Sequence, residues 1–244
     1  MDSTPDNATD DRATDTEMLE ALYKAYDSWT KQFQFACCSG CAPCCTQSVT
    51  MTTLEGERII EYLRQSGQLD KFAARLAACR PSMRPIQTTN QFAASCLAQA
   101  EPTENTPEWD FTPCIFLDNK LCSIYPVRPF GCRSFSSTLD CSVHGTAEVP
   151  PVLITVNTVV LQIVEHLNSR GDCWGNMVDI LCQLLEGEKS AAQAHLLKAQ
   201  PNPGFLIPQE EMQDVAAFFA RINGPNIKGD TLVGLLKEST GHSE

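Results

Sequence analysis

Two clusters of cysteines constrain this chain more than any other feature of its sequence. The first is Cys38-x-x-Cys41-x-x-Cys44-Cys45, and the second is Cys114-x7-Cys122-x9-Cys132-x8-Cys141. Thiolates at such short spacing converge on a soft metal ion or cluster, and a tetrahedral zinc site or a cubane iron–sulfur cluster needs four of them. The blocks supply eight sulfurs between them, so we expect a metal centre that clips two distant parts of the chain together.

The rest of the composition is that of an ordinary folded protein with an acidic surface. Of the 244 residues, 43% are hydrophobic, which is enough for an apolar core. We therefore expect the metal site to be part of a protein that has its own hydrophobic core, and not to take the place of such a core. The net charge is −12, from 18 basic and 30 acidic residues. This charge argues against a nucleic-acid or anionic-membrane partner, because either would need a basic face. A basic protein partner remains compatible with it.

The thirteen cysteines are best explained by a reducing compartment. The first twenty residues have neither the basic nor the apolar region of a signal peptide, and no apolar run reaches the length of about 18 residues that a membrane span needs. In a reducing cytosol, clustered cysteines indicate metal or redox chemistry and not crosslinks. We therefore expect a cytoplasmic protein.

Helical periodicity dominates the chain outside the cysteine blocks, and the expected fold is mostly α with small irregular or β elements. Residues 1–15 read as a disordered acidic tail, residues 16–150 as the cysteine-cluster metal-binding domain, and residues 151–244 as a helical C-terminal region packed on it. Within the middle part, Thr52-x-x-Glu55 is a capping box that opens a helix, and Leu69–Ala78 starts another. A short β-pair is expected around 114–117 and 120–124, with Asp118-Asn119 as its turn.

Four apolar stripes at helical spacing follow residue 151. They lie at Val156 to Leu167, Met177 to Leu185, Met212 to Ile222 and Leu232 to Leu236. The architecture we expect is therefore a cysteine-rich core stapled by metal, covered by a C-terminal helical layer.

Both cysteine blocks also carry the residues of a known family. The run Cys38-Ser-Gly-Cys41-Ala-Pro-Cys44-Cys45, followed by Cys122-Ser-Ile-Tyr-Pro-Val-Arg128-Pro-Phe-Gly-Cys132-Arg133, resembles the YkgJ-type CxxCxxCC cysteine-cluster family of zinc- or iron-chelating domains. The chain departs from that pattern at Ile115, where the family usually has Pro, and by the additional Cys37. In this region it is also similar to flagellin lysine N-methylases, which are considered iron–sulfur proteins. The resemblance implies a metal centre.

The candidate metal ligands are the cysteines of both blocks: Cys38, Cys41, Cys44, Cys45, Cys114, Cys122, Cys132 and Cys141. Neighbouring side chains rarely share one tetrahedral metal, so Cys45 either binds a second centre or supports the first. Cys141 lies beyond the family motif and could pair with His144, although a surface His is the simpler interpretation. All-sulfur ligation suits zinc and iron–sulfur alike, and the irregular spacing favours a [4Fe–4S] cluster.

Arg128 and Arg133 stand among the sulfurs of the second block. Their guanidinium groups would either donate hydrogen bonds to thiolates or form structural salt bridges. The sequence assigns Tyr125 and Phe135 to packing, and Cys182 to the apolar face of a helix.

Two functions from different classes fit the sequence. The first is a metal-binding protein in which the cysteines hold an iron–sulfur cluster or zinc in a structural or sensing role. The second is an iron–sulfur enzyme like the lysine N-methylases that uses S-adenosylmethionine (SAM), and metal storage is a weaker third. No glycine-rich nucleotide loop, HExxH or G-x-S-x-G motif is present, so no catalytic residue is assigned.

Overall fold

Helices form most of the structure, a computed structural model that describes residues 6–81, 83–100 and 110–222. The helices are α1 Asp6–Trp29, α2 Thr53–Gln65, α3 Leu69–Ala78, α4 Thr89–Leu97, α5 Phe130–Arg133, α6 Cys141–His144, α7 Pro151–Leu167, α8 Met177–Glu186 and α9 Met212–Ile222. The strands are β1 Thr50–Thr52, β2 Leu117–Asp118, β3 Leu121–Cys122, β4 Cys173–Asn176 and β5 Leu197–Lys198. This confirms the mostly α fold with small β elements.

The first apolar core lies between α1, α7 and α9. Leu19, Leu22 and Trp29 of α1 pack there against Val160 of α7 and Phe218 of α9. These side chains are almost completely buried, and each such burial stabilises the fold by about 1.5–3 kcal/mol. The two helical stripes that predicted α7 and α9 are therefore confirmed as core-facing surfaces.

The second apolar core lies between α2, α3, α8 and β1. Ile59 and Leu63 of α2, Phe72 of α3 and Leu181 of α8 are buried in it. The ring of Phe72 lies 4.9 Å from that of Phe116, centroid to centroid, and Phe116 follows the first cysteine of the second block by two residues. Side chains of Cys114, Cys122 and Cys132 pack against this core from outside, so the second block is seated on it.

A three-stranded antiparallel sheet joins parts of the chain that the sequence places in different regions. Its order is β1-β4-β5, with Thr50 paired to Asn176, Thr52 to Trp174, and Trp174 in turn to Leu197. The sequence did not predict this sheet, because strands of two to four residues are too short to show alternation. The elements on either side of residue 150 thus share one sheet, and a domain boundary there stays a prediction.

The local predictions around the first helices differ from the structure in one place. Helix α1 begins at Asp6, whereas the sequence predicted a disordered tail through residue 15. The helix is held by Arg12, which donates to Glu57 of α2 at 2.9 Å and also pairs with Asp172. Such ion pairs join residues far apart in sequence and leave no trace in local composition. Residues 1–5 lie outside the described residues.

The capping box and the hairpin show how turn chemistry sets the remaining boundaries. Thr52 and Glu55 cap α2 reciprocally, as predicted. The β2–β3 pair is also confirmed, but its turn is Asn119-Lys120, one residue later than expected. Both turn residues have positive φ, 49° and 63°, the left-handed conformation that a two-residue hairpin requires. The stripe at 232–236 lies outside the part of the chain that the structure describes.

In the described residues, no helix combines the length and the apolar character required to cross a membrane.

Candidate metal centre

The first cysteine block lies in the irregular segment between α1 and β1. Two successive turns shape it: the N–H of Cys41 donates to the carbonyl of Cys38 at 3.0 Å, and that of Cys45 donates to Ala42 at 3.1 Å. Gly40 has φ of 86°, a left-handed conformation that strains residues with a side chain. The segment thus forms the loop that the Gly and Pro residues predicted, with its thiols grouped along one short stretch.

Backbone hydrogen bonds bring the second cysteine block to the first. The N–H of Cys114 donates to the carbonyl of Cys45 at 2.9 Å, and the N–H of Gln47 donates to Thr112 at 2.9 Å. At the other end of the loop, the N–H of Ala36 donates to the carbonyl of Ser137 at 2.9 Å. The first block is therefore held at both ends by residues that lie in the second block or directly before it.

Cysteines from both blocks line a single cavity of about 390 Å³ between the two apolar cores. We call it the cysteine pocket and define it by its eight cysteines: Cys37, Cys38, Cys41, Cys44, Cys45, Cys114, Cys122 and Cys132. Seven of these are predicted ligands, and Cys37 is an addition that the sequence treated only as a departure from the family pattern. Its position next to Cys38 was the one signal that could have identified it.

Cys141, the eighth predicted ligand, is not among the residues that line the pocket. It is the first residue of the short helix α6, and its sulfur lies 3.8 Å from the carbonyl oxygen of Leu139. His144, on the same helix, is exposed to solvent. The structure therefore brings together seven of the eight predicted ligands and leaves Cys141 aside.

The thiols of the pocket differ in their electrostatic surroundings. A hydrogen bond between the neighbouring thiols of Cys44 and Cys45 raises the pKa of Cys44 and lowers that of Cys45. Burial raises the pKa of Cys114 to about 11, and it raises the pKa of Cys132 well above the usual range of a thiol. Without a metal, buried thiols are therefore protonated at neutral pH, and metal binding would release their protons.

Arg128 supplies positive charge to the pocket wall. Its guanidinium carbon lies 3.8 Å from the ring centroid of Tyr125, and its buried Nε has no hydrogen-bond partner among the described residues. The charge of Arg128 opposes the effect of burial on the pKa values of Cys122 and Cys132. Ser136 contributes a second buried, unpartnered atom to the same wall, its Oγ. An anionic occupant would satisfy both groups.

Arg133 has a different role from Arg128, although both stand in the same motif. It donates to the Asp27 carboxylate at 2.9 Å and to the carbonyl of Pro126 at 3.1 Å, and its guanidinium lies over the ring of Tyr23 at 4.4 Å. Of the two roles that the sequence left open, Arg133 therefore takes the structural salt bridge.

A buried carboxylate anchors the helix that carries Cys132. Glu55 Oε1 accepts hydrogen bonds from the Tyr23 hydroxyl and from the N–H of Phe130 at 2.6 Å. Phe130 begins α5, and Cys132 is the third residue of that helix. The sequence indicated Glu55 only as a capping residue, because nothing local shows that its second oxygen reaches the other block.

The donors in the pocket fit a thiolate-bound metal in their chemistry, but not in their spacing. All candidate donors are sulfurs, and the wall carries the half-buried cation Arg128, whose buried Nε has no hydrogen-bond partner among the described residues. Within the described ranges, however, no three Cys, His, Asp or Glu side chains are close enough to hold one ion. Of the cysteines in the pocket, Cys37, Cys38 and Cys44 are exposed to solvent, whereas the others are half-buried.

Comparison with known families agrees with this chemistry. Residues 37–151 match the family described as "CxxCxxCC: Putative zinc- or iron-chelating domain", a span that includes the whole cysteine pocket. No curated protein and no solved structure is significantly similar to the chain. Residues 37–151 of this chain are therefore similar to the zinc- or iron-chelating domains of the CxxCxxCC family, and the cysteine pocket within them is the candidate metal site.

Proposed function

We propose that the cysteine pocket binds an iron–sulfur cluster or zinc through thiolates, and that this centre has a structural or sensing role in the cytoplasm. The observation that carries the proposal is the convergence of both cysteine blocks on one cavity, with eight thiols in its lining. Thiols from residues 37–45 and 114–132 would have no reason to meet at one cavity if they served only as small apolar side chains.

The surroundings of the sulfurs favour an iron–sulfur cluster over zinc. Structural zinc is usually held by two regular CxxC turns, whereas here the second block contributes single cysteines from a loop, the strand β3 and the helix α5. A cluster bound by thiolates would carry net negative charge, and the unpaired Nε of Arg128 in the pocket wall would be available as a hydrogen-bond donor to it. Hydrogen bonds of this kind tune the reduction potential of a cluster.

A structural role follows from the position of the pocket between the two cores. Tyr26 of α1 lines it on the side of the first core, and Val49 and Met177 line it on the side of the second. A metal bound there would link the loop before β1 to the second block, so its binding free energy would add to the free energy of folding. A sensing role follows from exposure, since three cysteines of the loop are open to solvent.

The test compares metal content in the wild-type protein and in matched cysteine variants. The full chain is purified anaerobically, and iron, zinc and acid-labile sulfide are measured together with the visible spectrum. We expect Cys132→Ala to lose most of the metal, because Cys132 is held in the pocket by α5. Cys96→Ala is the control, because Cys96 is exposed on α4, away from the pocket, and should retain the wild-type content. Wild-type protein that folds without metal, or Cys132→Ala with unchanged metal, would contradict the proposal.

The methylase-like alternative stays open as a prediction. It requires SAM binding, which isothermal titration calorimetry with the metal-loaded chain measures directly. Saturable binding would favour the enzyme, and metal-dependent folding without it would favour the structural or sensing role.

A further inference from the structure

We propose that Cys79, which lies outside both cysteine blocks, positions the cysteine pocket through Gln47 and does not itself bind the metal. The sulfur of Cys79 lies 2.9 Å from Gln47 Oε1, and Gln47 follows Cys45 by two residues. Cys79 is not among the residues that line the pocket, and it lines a second cavity of about 300 Å³ between α3 and α8. The inference rests on the proposed function, since positioning matters only if the pocket binds metal.

The two cysteine blocks meet where residues 45–47 run antiparallel to residues 112–114, with a β-bridge at the centre of the pair. The N–H of Cys114 donates to the carbonyl of Cys45 at 2.9 Å, and a second backbone hydrogen bond of the same length joins the other end. A pair this short has little stability of its own, so contacts from other residues have to hold it. Any shift in the pair would move Cys45 relative to Cys114, and both of these cysteines line the pocket.

Gln47 connects this pair of segments to the rest of the fold. Its Nε2 donates to the carbonyl of Pro113 at 3.4 Å, and Pro113 directly precedes Cys114. Its backbone carbonyl accepts from Nδ2 of Asn176 at 2.7 Å, and the side chain of Asn176 also caps α8. Gln47 is only 6% exposed, so water has little access to replace these contacts. The side chain of Gln47 therefore holds the junction between the two cysteine blocks.

The thiol of Cys79 fixes the orientation of the Gln47 amide. Oε1 accepts from the thiol while Nε2 donates to Pro113, and both contacts require the same orientation of the amide group. Burial raises the pKa of Cys79, so the thiol keeps at neutral pH the proton that it donates. The N–H of Cys79 donates to the carbonyl of Leu76 at 2.9 Å, which holds the residue at the end of α3. Without the thiol, Oε1 would lose its donor, and we expect the amide to turn away from Pro113.

Cys182 offers a matched control for Cys79. Both cysteines are half-buried, both pack against the second core, and both line the second cavity. The sulfur of Cys182 lies 3.8 Å from the carbonyl oxygen of Leu76, which belongs to α3 and to neither cysteine block. Removing either thiol leaves a void of the same size, so a general loss of packing should affect both variants alike. A loss of positioning should appear only in the variant of Cys79.

The experiment measures metal content and the rate of metal loss to EDTA in anaerobically purified full-length protein. We expect Cys79→Ala to lose metal about tenfold faster than the wild type, as is typical when a residue that orients a metal ligand is removed. Cys79→Ser should stay close to the wild-type rate, because its hydroxyl still donates to Gln47 but is a poor ligand for a soft metal. Cys182→Ala should match the wild type. In Gln47→Ala, which should itself lose metal faster, adding Cys79→Ala should cause no further acceleration, because both act through one hydrogen bond.

Three results would decide against the inference and leave the proposed function intact. The first is an unchanged rate of metal loss in Cys79→Ala. The second is equal acceleration in Cys79→Ser and Cys79→Ala, which would make the sulfur itself a ligand. The third is equal acceleration in Cys182→Ala, which would assign the effect to packing. Folded wild-type protein without metal would instead refute the proposed function itself. Circular dichroism of each variant checks that faster metal loss does not reflect a loss of fold.

Discussion

Replacing Glu55 tests how the second cysteine block is anchored to the fold. The carboxylate is 2% exposed and accepts four hydrogen bonds. Its Oε1 accepts from the Tyr23 hydroxyl and the Phe130 N–H, and its Oε2 accepts from the N–H of Thr52 at 2.8 Å and from the Thr52 hydroxyl at 3.0 Å. One side chain therefore joins α1, the start of α2 and the start of α5.

The expected loss of stability follows from the donors that Glu55→Ala would leave without an acceptor. A hydrogen bond to a charged group contributes about 1.5–3 kcal/mol, and a buried donor without an acceptor costs about 1–3 kcal/mol. Each carboxylate oxygen accepts from its own pair of donors, so the costs of both pairs count. Because the structure around the substitution relaxes in part, the total is smaller than the sum of the separate costs, and we expect the free energy of unfolding to fall by about 4 kcal/mol, which is large for one substitution. Glu55→Gln keeps one acceptor oxygen and should lose about half as much.

The control is Glu57→Ala, two residues further along α2. Glu57 pairs with Arg12 at 2.8 Å, but its side chain is 44% exposed, so the substitution should cost no more than about 1 kcal/mol. Urea unfolding of metal-loaded protein under reducing conditions measures the free energy of unfolding for each variant. Equal losses for Glu55→Ala and Glu57→Ala would refute the anchoring role. Metal should also leave the Glu55 variants faster, because α5 carries Cys132.

Three further predictions concern the pocket and its frame. Gly131→Ala places a Cβ 2.8 Å from the Thr50 carbonyl oxygen, so the free energy of unfolding measured with urea should fall by about 2 kcal/mol. An unchanged free energy of unfolding would contradict the close packing of α5 on β1. In metal-free protein at neutral pH, iodoacetamide should modify Cys45 before Cys114, because the pKa of Cys45 is lowered and that of Cys114 is raised to about 11. The labelling rate of Cys114 should therefore rise with pH up to about 11. Equal labelling rates for the two cysteines in peptide mass spectrometry would contradict this order. Removing the metal with EDTA should lower the melting temperature, which scanning calorimetry measures, and an unchanged value would exclude a structural role.

The helices could be predicted because their apolar residues recur at helical spacing in the local sequence. The stripes of α7 and α8 correspond to the observed core-facing surfaces, and the bounds Leu69–Ala78 of α3 are those expected. Helix α1 begins at Asp6, within the segment that was predicted to be a disordered tail. Its first turns are held by the contacts of Arg12 with Glu57 and Asp172, which no periodicity can reveal.

The candidate site could be predicted as a group of cysteines but not as an arrangement. Spacing alone indicated that the two blocks meet, and the pocket contains thiols from both. Cys37 lies in the pocket lining and Cys141 outside it, and this difference depends on the path of the chain after α5. There the carbonyl of Ser137 accepts the N–H of Ala36, next to Cys37. The different roles of Arg128 and Arg133 likewise depend on the fold, because Asp27 and Tyr23 of α1 contact Arg133.

The central claim is that the thiols of the pocket bind metal, and one combined measurement tests it most directly. Anaerobically purified protein is analysed for iron, zinc and sulfide, and its accessible thiols are counted before and after denaturation in the presence of a chelator. We expect at least one thiolate-bound centre per chain, whose cysteine ligands in the pocket stay protected from labelling until the metal is removed. Folded, metal-free protein in which the exposed loop cysteines react freely from the start would contradict it.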